Sequence, residues 1–184
     1  AAGLGLLGGG LTMSIWGGPR RRVRGVYLFL ALQALALYGA AWPWQIPILA
    51  GAALFYDYAH SIAVSCNQAI WQAKTAPDIQ GRVFAFRRMI AWSTMPLAYV
   101  AAGPLADRVF EPLLADGGAL ANSVGRILGT GPGRGIAFLY VLLATFSLLA
   151  IAVVWLYPRT RRVEIELPDH GGEVEEDGAL TAEG

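Results

Sequence analysis

Five long apolar runs separated by short polar segments set the pattern of this chain: residues 1–16, 26–41, 46–66, 89–106 and 136–157. A helix crossing the hydrocarbon core of a bilayer needs about 20 apolar residues, with a range of about 17–25. In lipid, each backbone polar group must find its partner inside its own segment, so the runs are read as transmembrane helices. The first is short, as a truncated span would be, and the fourth is short and holds Pro96 and Pro104. The third has room to continue as helix to Trp71, and the fifth carries no charge. The expected fold is all-α: a polytopic transmembrane helical bundle over residues 1–162. Residues 163–184 carry Glu164, Glu166, Asp169, Glu173, Glu175, Glu176, Asp177 and Glu183 and little apolar surface to bury, and are expected to form a disordered, acidic cytoplasmic tail.

Composition and charge sharpen this picture. Charged residues are 15% of the chain and hydrophobic residues 55%, whereas a soluble domain carries about a quarter charged residues. Arg20, Arg21, Arg22 and Arg24 follow the first run, Lys74, Arg82, Arg87 and Arg88 the third, and Arg159, Arg161 and Arg162 the fifth. Eleven of the fourteen basic residues therefore fall on alternate connections, leaving Arg108, Arg126 and Arg134 for the other side. The positive-inside rule makes the first set cytoplasmic, which predicts a multi-pass protein of the cell (inner) membrane with a cytoplasmic C-terminus. Trp42 and Trp44 around Pro43, and Trp155 with Tyr157, are expected to form aromatic belts at the two interfaces. A net charge of +1 points to no polyanion, hence no nucleic-acid partner. The single cysteine, Cys66, excludes a disulfide framework. The chain opens inside an apolar stretch, without methionine or the basic segment of a secretory signal, and reads as the C-terminal part of a longer protein.

Gly3, Gly5 and Gly8 match the spacing of a dinucleotide-binding fingerprint, which has meaning only between a strand and a helix. In a membrane run such glycines let helices approach closely, and that reading is preferred. The segment from Gly10 through Gly17 to Arg20, Arg21 and Arg22 offers a tight glycine turn between two helices, with guanidinium groups at the membrane surface. Their simplest role is to set topology and touch anionic lipid. At these residues the chain resembles the major facilitator superfamily, whose corresponding loops carry a glycine, an acidic-basic pair, a second glycine and a basic cluster. Ser14 and Ile15 stand in place of the pair, so the copy is degenerate. The run from Gln68 to Arg88, with Pro77, Asp78, Gly81 and Arg82, is similar to the loop between helices ten and eleven. It looks most like the branch of macrolide-efflux and enterobactin-exporter-like permeases. Pro77 cannot continue the helix above it, and Asp78 is placed to cap the turn that follows.

The resemblance covers the chain to about Tyr157. It implies helices eight to twelve of a twelve-helix secondary transporter, the partial C-terminal half, working with a missing N-terminal half of the same protein. It further implies a small-molecule substrate, protons as the coupling ion and no cofactor. Pro96, Gly103 and Pro104 match a glycine-proline bend that lets the helix flex; plain termination near Asp107 is the alternative. The outer loop from Asp107 to Gly135, rich in glycine at Gly129, Gly131 and Gly133, reads as a flexible external connector, with room for a short interfacial helix within 113–128.

Asp57, His60, Ser61, Asn67 and Gln68 occupy one helical face of the third run by their spacing. Asp57 lies about eleven residues in, roughly 16 Å deep at the rise of a helix. Ionisable residues at such depth are costly and mark pathways or partners. The expectation is that this face lines a cavity and that Asp57 or His60 exchanges a proton; a structural Asp57–His60 pair is the alternative. Tyr56 and Tyr58 are weaker cavity candidates, and for Gln33 a helix–helix hydrogen bond is expected. A membrane enzyme or a membrane-anchored assembly subunit is the competing class. No catalytic set is expected, and Asp57 and His60, with His170 in the tail, make an incomplete metal site.

Overall fold

In the computed structural model, which describes residues 2–42 and 46–157, the apolar runs become helices, and the second, third and fourth are longer than hydropathy alone marks out. They are α1 (Ala2–Trp16), α2 (Arg22–Ala41), α3 (Ile46–Lys74), α4 (Gln80–Pro104) and α7 (Arg134–Leu156). A π-helical segment, Leu105–Phe110, prolongs α4, and the short helices α5 (Glu111–Leu114) and α6 (Gly125–Leu128) lie in the connection to α7. No strand occurs among the described residues. Three stretches are long and apolar enough to cross a membrane: Arg22–Ala41, Gln80–Leu114 and Arg134–Leu156. The first helix is apolar but has only 15 residues. With 29 residues α3 is long enough, but Asp57, His60, Asn67, Gln68 and Gln72 dilute its hydropathy. Pro43, Trp44 and the acidic tail, with His170, lie outside the described residues.

α3 is the centre of the bundle, packing on α1 along one side and on α2 along another. The α1–α3 seam is built from glycine. A Cβ on Gly5 would fall 2.9 Å from Asp57 Cβ and against the Leu54 carbonyl, and one on Gly9 would fall 2.7 Å from both Ser61 Cβ and the Tyr58 carbonyl. Gly5 pairs with Leu54–Tyr58 and Gly9 with Tyr58–Ser61, so the two helices run parallel. Lipid gives no hydrophobic drive for helices to associate; close backbone approach of this kind supplies van der Waals contact instead. Small side chains repeat the device against α2, where Gly25 sits beside Cys66 and Ala34, Ala59 and Ala63 are buried.

α2 is antiparallel to α3, with Arg22 Nη1 donating to the Ala69 carbonyl at 3.3 Å and Gln33 meeting His60 half-way along. α2 is likewise antiparallel to α7. Tyr38 donates to Thr145 Oγ1 at 2.7 Å, because the threonine spends its own proton on the Val141 carbonyl. At the far end, Tyr27 meets Trp155 edge to face at 5.4 Å between ring centroids. Helices α1, α3 and α7 thus point one way and α2 the other, the alternation that the charge pattern predicts. Arg20–Arg24, Lys74, Arg82, Arg87 and Arg88 gather at one end.

The two connections at that end differ from expectation. Gly10 is not in a turn; it lies inside α1 with open space around it. Gly17 ends the helix, its φ of +72° in the left-handed region and its N–H donating to the Met13 carbonyl at 2.9 Å. Gly81, Arg82, Arg87 and Arg88 lie in α4 rather than in a loop. Asp78 does not cap that helix: Ile79 holds the N-cap position without a side-chain hydrogen bond. Gln80 does the joining instead, its Nε2 donating to the Gln72 and Thr75 carbonyls at 3.0 Å each. Arg87 rests on the Trp71 ring, 4.2 Å from its centroid. Pro77 stands in the break between α3 and α4, where no helix has to pass it.

Beyond Pro96 and Gly103-Pro104 the helix neither stops at Asp107 nor breaks; it relaxes into the π segment. A proline removes a backbone donor, and a wider turn accommodates the loss. Apart from its neighbours at the two ends, α4 is exposed along its length and buries no residue. The π segment leads into Glu111, whose carboxylate accepts from the N–H groups of Gly133 at 2.6 Å and Gly135 at 2.9 Å. An acid at the start of α7 satisfies donors that the helix leaves unpaired. Phe110 against Phe138, 5.2 Å apart edge to face, completes the joint.

Replacing Gly5 with leucine should force α1 off α3 and cost about 1–3 kcal/mol, the usual range for overpacking a tight contact. A fall in the thermal unfolding temperature in detergent would show it, and an unchanged midpoint would refute the seam. Glu111→Ala should cost about 1–3 kcal/mol by orphaning two backbone donors. Amide hydrogen exchange should quicken at residues 133–137 and not in α2; equal protection throughout would refute the clamp.

Candidate functional site

The site forms where α2, α3 and α7 fail to close on one another. All three carry alanine at their facing positions: Ala36 and Ala40, Ala52 and Ala53, and Ala137. Their small side chains leave a cavity of about 810 Å³. It opens at the end of the bundle opposite the arginine clusters, where Trp42 and Arg134 stand at its rim. A second cavity of about 280 Å³ lies farther along the same groove, among Leu30, Gln33, Ala34, Leu37, Tyr56 and Ser147. Leu37 and Tyr56 line both, so the two are successive chambers of one groove.

At its inner end the groove meets the polar residues of α3. The Tyr56 ring lies parallel to the His60 imidazole within 3°, at a centroid separation of 6.3 Å. His60 Nδ1 is 3.2 Å from Gln33 Nε2. The amide N–H donates, which makes Nδ1 the acceptor and leaves the imidazole proton on Nε2 when the ring is neutral. Gln33 is buried to 9% exposure, and its Oε1 has no hydrogen-bond partner. A buried carbonyl oxygen without a donor is costly and is a ready acceptor for a water or ligand N–H or O–H group. The hydrogen bond expected of Gln33 is therefore present, and its partner is the histidine.

The five residues placed on one face of α3 do not converge. His60 turns toward α2, whereas Asp57 and Ser61 lie against Gly5 and Gly9 of α1. Asp57 does not pair with His60: the histidine's partner is Gln33, and Asp57 makes no ion pair among the described residues. Ser61 accepts at its carbonyl from Ser65 Oγ, 2.8 Å away. Asn67 and Gln68 stand about two turns farther along the helix, roughly 10 Å from His60 at the helical rise. An arc of about 120° is wide enough to touch two neighbours at once, which is why one face by spacing becomes two by packing. Tyr56 is in the groove as expected. Tyr58 is not: its hydroxyl donates to Thr12 Oγ1 at 3.2 Å and belongs to the α1–α3 seam.

Arg134, Trp42 and Tyr140 line the groove without having been singled out as cavity residues. The signal was present in part, since alanine recurs at Ala36, Ala40, Ala52 and Ala53, but only packing shows that these faces meet. Among the described residues no three of His, Cys, Asp and Glu come together as metal ligands. No family model matches the chain, and neither the curated proteins nor the solved structures yield a match.

Gln33→Met should leave thermal stability within about 1 kcal/mol, because the lost hydrogen bond is offset by removal of an unsatisfied buried oxygen. The same change should speed modification of His60 by a histidine-directed acylating reagent. A large loss of stability, or an unchanged modification rate, would refute the assignment.

Proposed function

We propose that the chain is the C-terminal part of a secondary active transporter of the major facilitator type, which exports a small amphipathic molecule by alternating access, driven by a proton gradient. The observation that carries this reading is the two-chambered groove, which enters the bundle at one end and reaches buried Gln33, whose amide meets His60 on the exposed side of α3. A site near mid-membrane between helices of alternating direction is what alternating access requires. Five spans are then needed, with α1 and α3 crossing beside the three stretches that are apolar enough by themselves. The polar side of α3, where His60, Val64 and Gln68 are exposed, would face the missing N-terminal half. So would part of α4, and lipid would cover the rest.

On this reading the arginine end is cytoplasmic, in the inner membrane, and Arg20–Arg24 and the 77–88 segment latch the two halves there. The Trp71–Arg87 stack fits a latch, since a guanidinium held on an aromatic face keeps its edge free for a partner. The bend residues Gly103 and Pro104, with the π segment after them, supply a joint for α4. Asp57 has a carboxylate in the middle of α3 without an ion pair among the described residues. His60 has an imidazole whose one lone pair, on Nδ1, takes the Gln33 N–H in the neutral ring and is open to a proton once that amide turns away. Both suit a group that takes and releases a proton as the halves rock.

The test is flux of an amphipathic dye panel in vesicles holding the intact protein, with and without a pH gradient. Gradient-driven flux should fall at least tenfold in Asp57→Asn with insertion unchanged. Flux indifferent to both gradient and variant would remove the proton-coupled reading.

A further inference from the structure

The lining of the outer chamber is selective in its charge. Among the described residues it is apolar or aromatic except for one charged residue, Arg134, and no acidic residue lines the chamber. Arg134 is half-buried and is packed on the glycine loop that precedes α7, where a Cβ on Gly129 would lie 3.2 Å from its Nε. It has no ion pair among the described residues. The carboxylate that reaches this corner, Glu111, already spends both oxygens on the N–H groups of Gly133 and Gly135. A guanidinium at the rim of an apolar cavity thus has no carboxylate paired directly with it among the described residues.

We infer that the outer chamber takes an amphipathic organic acid, with its carboxylate on Arg134 and its apolar body between Ala40, Ala53 and Tyr140. This rests on reading the groove as a transport path and names the class of cargo. The volume, about 810 Å³, lies in the range of small-molecule sites, which are mostly apolar with a few polar groups that fix orientation. Guanidinium matches carboxylate by charge and by two parallel hydrogen bonds. An inorganic anion would leave the alanine-lined volume empty. A neutral ligand would bury the guanidinium unpaired, and a cation would be repelled by it. Trp42, Tyr56 and Tyr140 present ring surface to an aromatic body.

The experiment is calorimetric titration of the intact protein in phosphatidylcholine nanodiscs with 2-naphthoate and with its cationic counterpart, 2-naphthylmethylamine. Naphthoate should bind at least tenfold more tightly than the amine. Arg134→Gln should weaken naphthoate at least tenfold and leave the amine unchanged, and Arg134→Lys should recover most of the loss. Ala40→Leu, which fills the chamber without touching the charge, should weaken naphthoate at least tenfold and keeps the test open if the arginine variant does not fold. Equal affinity for acid and amine, or naphthoate binding unaffected by both variants, would overturn the inference. Displacement of naphthoate by stoichiometric lysophosphatidylglycerol would also overturn it, by making the chamber a lipid site. Vesicle flux run alongside separates the two readings. Gradient-driven flux without naphthoate binding removes the acid cargo alone, whereas naphthoate binding without flux of any substrate removes the transporter and keeps the site.

Discussion

Everything else in this bundle hangs on how closely α3 is approached from two sides. A helix with an aspartate, a histidine and several amides along it gains little from lipid, so its place is fixed by contacts that only near-touching backbones provide. Gly5 and Gly9 bring α1 against it, and Gly25, Ala34, Ala59 and Ala63 bring α2. With α3 held at this distance, the polar groups it carries are placed to within a hydrogen bond, and Gln33 and His60 meet. Side chains the size of leucine at these positions would move α3 outward by a carbon or two, and the pairing would be lost before the helices themselves were.

The second level of organisation comes from α2, which transmits the position of α3 to α7. It does so with polar clasps at its two thirds, Gln33 to α3 and Tyr38 to α7, and with a ring contact at its basic end. Between these clasps the alanines leave space. The groove is therefore a consequence of economy in side-chain size rather than of any helix bending aside. Its polarity is graded, from a cation at the rim, through rings, to an amide and a hydroxyl residue at its inner end.

Much of the fold was legible in the sequence. Run length and the alternation of arginine clusters gave the all-helical bundle and its up-and-down order, because hydropathy and charge act on each segment separately. Helix boundaries were less legible. Gln80–Arg88 looked like a loop since it is basic, but arginine and glutamine are good helix formers, and charge marks depth rather than backbone state. The candidate site was legible by halves. His60 and Tyr56 were marked by polarity in an apolar run, and Gln33 by its isolation. Asp57 was placed on the right helix and the wrong side of it, because a spacing rule says which residues share a face without saying which neighbour the face meets. Arg134 and Glu111 lie at the two ends of a glycine-rich connection that has no periodicity to read, and their roles appear only once 22 to 24 residues of chain have folded back.

The π-helical segment 105–110 has a bearing on how this chain can change length. A π turn carries an extra residue relative to an α turn, so it behaves as a one-residue insertion absorbed within a continuous helix. Every residue after it is set about 100° around the axis from where an unbroken α-helix would have left it. Glu111 is the first of those residues, and its clamp on α7 uses that offset. Substitutions within the segment preserve this phase, while loss of a single residue there would return the helix to α geometry and aim the carboxylate away from Gly133 and Gly135. The segment therefore works as a phase setting between the fourth helix and the last, and the number of residues in it is more tightly constrained than their identity.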